Sequence, residues 1–396
     1  MDLIETLSRY YVFRYKINSA VQFYHEMVEK IDKYNAIIGA NMFKSKSIVL
    51  TFPFALAVCM HCIYVYLFTS SMYYYRDDIE KILINVTTIG FSIQMLAKLY
   101  TFLYGRQNMV ELHKLNLIYF ENNHFGSETV KEALFKNAKF TYVVLQLVVI
   151  YLFTLWILIT APFLLYSVIS SKRLLPFVFE WSHSENWIAY SVNFVIQAIC
   201  FFYVVVGTYS TDATFIVYLL TGCGQIDAIG AMLQDLNTMI EDGASEQQIT
   251  EQITRIVKLH QHLMLYMSDL ESKFSGYFLT TLGVLSFIMI VSMCALILIN
   301  WATGLLLVLI ATCQLLFVCS LGTYWQIKCD KLLVDVWSLK WYRLSVRNQK
   351  SFLLLLNGAQ APLNLTAIFT PLDMSAYLSI HRTLYSICML LIQFTE

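Results

Sequence analysis

Charge is scarce in this chain of 396 residues, because Asp, Glu, Lys and Arg together make up only 14% of it and cancel to a formal net charge of zero. A soluble protein of this length needs far more polar surface than that. The balanced charge also argues against a nucleic-acid partner. What the chain has instead is apolar: 58% of its residues are hydrophobic and the mean hydropathy is +0.59. The composition therefore predicts a polytopic membrane protein in a lipid bilayer.

Several short motifs are also missing. The first forty residues contain no apolar segment of the signal-peptide type, so we expect the first span to direct insertion. The chain has no HExxH, GxSxG, Walker or GxGxxG sequence. The nine cysteines suggest no disulfide framework, and Cys59 and Cys62 lie within an apolar span as packing residues. We therefore predict no enzyme, no catalytic residue, no cofactor and no metal.

Seven apolar stretches are long enough to cross a bilayer as helices, which needs roughly 20 residues each. They predict an all-α membrane protein with seven transmembrane helices. A single residue, Asn300, separates the fifth stretch from the sixth, which predicts a tight hairpin there. The stretches are Ser47–Thr69, Ile82–Leu103, Phe140–Ile169, Trp187–Tyr209, Tyr277–Ile299, Trp301–Tyr324 and Ile368–Gln393.

Positive residues alternate between the gaps that separate these stretches. Seven Lys and Arg precede the first stretch and six lie in the gap before the last stretch, whereas the first, third and fifth of the six gaps hold two, two and none. Positively charged loops remain cytoplasmic. The pattern predicts a cytoplasmic N-terminus and an extracellular C-terminus, which is the inverse of a G-protein-coupled receptor.

Helical periodicity continues where the membrane signal stops. Apolar residues recur at helical spacing from Ile226 to Ile240 and again from Ile249 to Leu263, with a break at Glu241–Gly243. A further amphipathic stretch covers Leu332–Leu356, and a polar helical stretch covers Leu3–Ile38. We expect these helices to form a cytoplasmic bundle that holds subunits together.

The predicted organisation is 1–46 (cytoplasmic N-terminal helices), 47–220 (spans one to four), 221–276 (cytoplasmic hairpin), 277–325 (spans five and six), 326–367 (anchor helix) and 368–396 (pore-lining span seven).

Ionisable residues are few within or beside the predicted spans. Lys98 lies near the inner end of the second span, where it could snorkel, and Asp212 is expected beyond the bilayer. His61 is expected to be a satisfied packing residue, and His381 and Arg382 complete the set. With neither a mid-membrane carboxylate nor broken helices in matched halves, a secondary transporter has little support.

Aromatic and methionine side chains are abundant in the predicted outer halves of the spans. This chemistry suits a small, mostly apolar ligand held by shape and a few polar contacts. The alternative is ordinary helix packing with interfacial aromatic belts. The candidate ligand-binding residues are Phe91, Tyr151, Trp156, Phe194, Phe201, Tyr203, Met289 and Met293.

The last seventy residues carry the most specific pattern. It consists of Asp335-Val336-Trp337, Trp341, Arg347-Asn348-Gln349-Lys350, Leu353–Leu356, Ala359–Leu363, Thr366-Ala367 and Leu384-Tyr385-Ser386. This pattern resembles the C-terminal signature of insect odorant receptors, and Leu175-Pro176-Phe177 with Trp181 in the second outer loop resembles the same family. Ser386-Ile387 stands where related gustatory receptors have a Thr-Tyr pair, which favours the odorant receptors. A gustatory receptor, a G-protein-coupled receptor and a transporter remain alternatives.

The resemblance implies a tetrameric, odorant-gated, non-selective cation channel in the plasma membrane of olfactory neuron dendrites. The loop 221–274 looks too short for the shared co-receptor of that family, so the resemblance implies a tuned subunit that assembles with that co-receptor around a small volatile odorant. It further implies that the last helix lines the pore. Ile387, Leu390 and Gln393 are the candidate pore residues, with Leu390 closing the pore by dewetting and Gln393 forming a polar ring one turn beyond.

Epitope tags at the two termini test the predicted topology. On intact cells an antibody should reach a C-terminal tag, and it should reach an N-terminal tag only after permeabilisation, because the positive gaps stay in the cytoplasm. An N-terminal tag that is accessible on intact cells would contradict the topology and favour a G-protein-coupled receptor.

Overall fold

The computed structural model describes residues 19–39, 51–124, 127–180, 186–361 and 364–395. Within these ranges the chain is almost entirely helical. The helices are α1 (Ala20–Ile37), α2 (Phe52–Tyr74), α3 (Ile79–His124), α4 (Glu128–Ser170), α5 (Trp187–Glu241), α6 (Glu246–Ile299), α7 (Ala302–Trp337), α8 (Val346–Ala359) and α9 (Met374–Thr395). A 3₁₀ turn covers Trp341–Arg343, and two short antiparallel strands, β1 (Thr366–Ala367) and β2 (Thr370–Pro371), precede α9.

Local sequence explains where many of these helices begin. Ser127, Asn186, Ser245 and Ser345 each accept a hydrogen bond from a backbone amide three residues later, which caps α4, α5, α6 and α8. At Ser245 the bond is reciprocated by Gln248, which completes a capping box. Each cap satisfies an amide that the first helical turn leaves without a partner.

The membrane-spanning and bundle parts of the chain share the same helices. The predicted boundaries at 220, 276 and 325 fall inside α5, α6 and α7, each of which continues unbroken past the boundary. Each of these boundaries therefore falls within a single continuous helix and does not mark the border between two structural units. Of the described helices, six are long and apolar enough to cross a membrane, namely α2 to α7. The all-helical membrane fold is thus confirmed.

The seventh predicted span also forms a helix, α9, but it is not one of these six. At 22 residues it is long enough to cross. Its composition explains the difference, since it carries His381 and Arg382 and several serines among its apolar residues. That α9 crosses the membrane therefore remains a prediction. The predicted start of the first span, 47–50, lies outside the described residues, as do 1–18, Trp181, Pro362 and Leu363.

Helix α5 is the axis of the molecule. From Val205 to Leu233 nearly every side chain is buried, whereas the segment near Trp187 alternates between exposed and buried positions. α4, α6, α7 and α1 all pack against it, and α3 packs against both α5 and α6. A helix that is buried all round must have other helices on every side. At one end of the molecule, α1 and α8 pack against α4 to α7. We call this end the bundle end.

Polar contacts tie the helices together at the bundle end. Lys328 donates to both carboxylate oxygens of Asp227, at 2.7 and 2.6 Å, and so joins α7 to α5. The Tyr24 hydroxyl lies 3.0 Å from Nδ1 of His113. Burial lowers the pKa of His113 to about 4, so its ring is neutral at physiological pH.

Two turns position α6, α7 and α9. Asn300 adopts the left-handed conformation (φ 50°) between α6 and α7, which forms the tight hairpin expected there. Further along α7, Gly322 lies directly against the backbone oxygen of Leu372, so a Cβ there has no room. Because Leu372 precedes α9, and Thr323 accepts a hydrogen bond from the backbone amide of Met374 at 3.0 Å, α9 is held against α7.

Gly322→Ala should destabilise the protein by about 1–3 kcal/mol, because the added methyl group overpacks the contact with Leu372. Gly283→Ala is the matched control, since Gly283 lies in a helix and a Cβ added to it would meet nothing within 4 Å. Alanine there should stabilise α6 by about 0.5–1 kcal/mol. Thermal unfolding of the purified variants in detergent measures both changes, and equal midpoints would contradict the close contact.

Candidate functional site

The predicted ligand-binding residues divide into separate groups. Phe91 of α3 and Phe201 of α5 form one group, with ring centroids 6.1 Å apart in an edge-to-face arrangement. Phe177, from the loop between α4 and α5, lies 5.8 Å from Phe201 and stacks on Phe179 at 5.4 Å. The loop therefore covers this aromatic cluster at the end of the molecule opposite the bundle.

A single glutamine holds that loop in place. The Gln197 side-chain amide donates to the backbone oxygens of Phe177 (3.1 Å) and Phe179 (2.6 Å), and its oxygen accepts from the Phe177 amide at 3.1 Å. Gln197 is itself buried. The bond to Phe179 is buried and the two to Phe177 are partly buried, so the three are worth more than they would be at an open surface. The sequence prediction missed this residue, and only its place one turn before Phe201 could have indicated it.

A second group surrounds Trp156 of α4. Its indole N–H donates to the backbone oxygen of Ala198 at 3.1 Å, and its ring lies edge-on to Phe202 at 5.9 Å. Tyr203 also contacts Phe202, at 6.2 Å. Phe194 is half-buried and packs near Tyr190 at 6.1 Å. The rings in this group therefore pack mainly against one another.

The two predicted methionines belong to α6. Met289 is fully buried and Met293 is half-buried. Beside Met289, a Cβ at Gly90 of α3 would collide with Ile288 of α6, so the two helices approach closely here. Met289 therefore lies in a tightly packed region, in agreement with the packing alternative for that residue.

Tyr151 lines a cavity of appreciable size. This cavity holds about 350 Å³ and lies between α4, α5 and α7. Its walls are apolar, and its two most polar lining residues are Asp212 and Gln314. Tyr151 is half-buried, and its hydroxyl lies 3.5 Å from the backbone oxygen of Ile310. The cavity lies toward the bundle end of the spans, deeper than the aromatic group around Phe91.

Asp212 belongs to a buried polar cluster with Lys98 and Tyr277. The Lys98 ammonium is 2.9 Å from both carboxylate oxygens, and the Tyr277 hydroxyl donates to Oδ1. Only 1% of the Lys98 side chain is exposed, against 14% for Asp212. The prediction that Lys98 snorkels is therefore wrong: the ammonium points inward because a carboxylate on α5 lies at the same depth.

The two predicted intramembrane histidines have hydrogen-bonding partners. His61 Nε2 lies 3.3 Å from the Ser92 hydroxyl, as expected for a satisfied packing residue. His381 lies between the Thr312 hydroxyl at 3.4 Å and the backbone oxygen of Tyr377 at 2.9 Å. The described residues contain no group of three or more possible metal ligands.

Helix α9 has one buried face and one exposed face. Leu384 and Cys388 are buried against the rest of the chain, whereas Leu390 is 53% exposed and Gln393 is exposed. Ile387 is half-buried between the two faces. The predicted pore residues thus lie on or beside the face that a single chain leaves uncovered.

These features define a polytopic helical membrane protein whose helices extend well beyond the bilayer into a shared bundle. The 7tm Odorant receptor family model matches residues 78–385, most of the chain. The chain belongs to the odorant receptor family, as its C-terminal residues predicted.

Relatives agree with this assignment. The chain is 23% identical to putative odorant receptor 83c of Drosophila melanogaster over 227 residues. That match covers 52% of this chain and 56% of the relative, so the chain spans just over half the length of that relative.

The solved structures of the insect olfactory receptor OR5 from Machilis hrabei have a similar fold. The form in complex with eugenol aligns with a TM-score of 0.74 at 18% identity and covers 94% of this chain and 99% of that chain. A second structure of the same receptor aligns with a TM-score of 0.72 at 18% identity and covers 93% of this chain and 98% of that chain. At this level of identity the likeness establishes the fold.

Lys98→Met should destabilise the protein by about 3–5 kcal/mol, because it leaves the partly buried Asp212 carboxylate without its counter-ion. The double variant Lys98→Met/Asp212→Asn should recover most of that loss, since no unpaired charge remains. Lys33→Met, which breaks the exposed pair with Glu29, is the control and should change little. Thermal unfolding in detergent measures all three. If the double variant were no more stable than the single variant, the pair would not be energetically coupled.

Proposed function

We propose that this chain is a tuned subunit of an odorant-gated, non-selective cation channel. It acts in the plasma membrane of olfactory sensory neurons, in a tetramer with the odorant co-receptor. Membership of the odorant receptor family carries the proposal. The exposed face of α9 is consistent with it, because Leu390 is 53% and Tyr385 66% exposed in the single chain and so are free to face a pore or a neighbouring subunit in an assembly.

The proposed pore is lined by α9. Four copies of the helix around one axis would bring Leu390 side chains into a ring that excludes water, with Gln393 one turn beyond and Ile387 one turn before. Each of these residues is three positions from the next, so all three lie along one side of the helix. The buried face of α9, with Leu384 and Cys388, then transmits movement of α6 and α7 to the ring.

The proposed ligand is a small volatile molecule bound among the spans. A structure related to this fold was solved in complex with eugenol, which supports a ligand of small-molecule size. The aromatic groups around Phe91, Phe201 and Trp156, with Tyr151, Phe194, Tyr203, Met289 and Met293, are the proposed contacts. A ligand that fits the open arrangement of helices better than the closed one shifts the population toward the open state. About 1.4 kcal/mol of preference changes the ratio tenfold.

Whole-cell current in a heterologous cell tests the proposal. Cells that express this chain with an odorant co-receptor should give a cation current when a panel of small aromatics, esters and alcohols is applied. Cells with the co-receptor alone are the control and should not respond to the same compounds.

Two results would contradict the proposal. If cells that express this chain alone give a current as large as cells that express both proteins, the chain does not depend on a co-receptor. That result would point to a self-sufficient channel or a gustatory receptor. With the C-terminal tag detected at the cell surface, the absence of current across the panel would contradict the channel function itself. Substrate flux without current would favour a transporter.

A further inference from the structure

The cavity beside Tyr151 combines apolar walls with a small polar end. Val148 and Leu152 of α4 and Phe317 of α7 supply apolar lining, while Asp212 of α5 and Gln314 of α7 supply the polar groups. Its volume of about 350 Å³ lies within the range of roughly 300–1,000 Å³ that is typical of small-molecule sites. Most of a bound molecule would therefore contact hydrocarbon, and one end would meet hydrogen-bonding groups.

The charge of Asp212 is already balanced. Lys98 contacts both carboxylate oxygens at 2.9 Å and does not reach the cavity, since it is 1% exposed. Because the pair is neutral as a whole, a cationic ligand gains little net attraction and loses its hydration on entry. The cavity therefore favours a neutral ligand over an amine.

Asp212 nevertheless retains capacity to accept a hydrogen bond. A carboxylate offers about four acceptor positions, and Lys98 and Tyr277 occupy three of them. The side chain is 14% exposed and forms part of the cavity wall. Gln314, on the facing helix, carries a side-chain amide that can act as a second polar contact.

We propose that this cavity binds a neutral, largely apolar alcohol, with its hydroxyl donating to Asp212 beside Gln314 and its hydrocarbon part lying along Val148 and Phe317. The site lies nearer the bundle end than the aromatic group that includes Phe91, and of the proposed odorant contacts it involves Tyr151. Only the consequence of binding, a shift in channel opening, rests on the proposed function. Binding itself is measurable without any current.

Cys313 provides a reporter, because it lines the cavity and is exposed. Cys59 and Cys62 of α2 are also exposed and do not line the cavity, so they serve as internal references. The full chain in lipid nanodiscs is treated with N-ethylmaleimide, and peptide mass spectrometry gives the labelling rate of each cysteine. The probes are 1-octanol and n-octyl methyl ether, which has no hydrogen-bond donor.

The proposal predicts that 1-octanol slows labelling of Cys313 at least threefold while Cys59 and Cys62 are unaffected, and that the ether protects Cys313 several-fold less. Val148→Phe fills the cavity and should abolish the protection. Val195→Phe, at an exposed position on α5 outside the cavity, is the matched control and should retain it. Lys98→Met/Asp212→Asn, which removes the charge-assisted acceptor but keeps the cluster neutral, should reduce the preference for the alcohol to less than twofold.

Three outcomes would overturn the proposal. Equal slowing at Cys313, Cys59 and Cys62 would show general partitioning into the nanodisc. Equal protection by the alcohol and the ether would show an apolar cavity without hydroxyl recognition. Protection that survives Val148→Phe would place the ligand elsewhere. None of these outcomes depends on current, so a chain that gives no channel activity and still shows selective protection contradicts the proposed function while supporting this site.

Discussion

The structure depends on the complete burial of α5 at the depth where the membrane-spanning region meets the bundle. A helix surrounded on all sides must satisfy its polar groups within the protein, and the buried cluster of Lys98, Asp212 and Tyr277 does this between α3, α5 and α6. Because α3, α5 and α6 each continue unbroken to both sides of this cluster, a displacement at one end is carried to the other by rigid helices rather than through a flexible linker.

This continuity relates the ligand sites to the proposed pore. Asp212 forms part of both the buried cluster and the cavity wall, so a molecule bound in the cavity would contact the same carboxylate that joins three helices. Gln314 and Phe317, on the other wall, belong to α7, which contacts the start of α9 through Gly322 and Thr323. A change in the spacing of α5 and α7 therefore reaches α9 within about two helical turns of the cavity. Packed helices of this kind change between discrete arrangements rather than deforming gradually.

The sequence predicted the helices better than the contacts between residues that are far apart in the chain. Apolar run length and the isolated Asn300 predicted the spans and the hairpin, because both depend on residues that are close together in the chain. The pairing of Lys98 with Asp212 could not be read in the same way, since 114 positions separate them and each residue alone suits a membrane boundary. Tyr151 lines the cavity, and Gln314, which also lines it, was not among the predicted residues. Phe91, Phe201 and Met289 share the aromatic or sulfur chemistry of the predicted set and pack against neighbouring side chains, and their role as ligand contacts stays a prediction. Composition alone does not distinguish a packed side chain from one that borders a ligand.

In the proposed channel, α9 lines a water-filled pore with Leu390 at its constriction. The most direct measurement is block of the odour-evoked current by a charged, water-soluble thiol reagent after Leu390→Cys, with Leu384→Cys, on the buried face, as the comparison. If Leu390 lines the pore, the reagent should block the current irreversibly at position 390, faster when odorant is present, and should not block it at position 384. Current that persists unchanged after the reagent has demonstrably modified position 390 would show that α9 does not line the pore at Leu390.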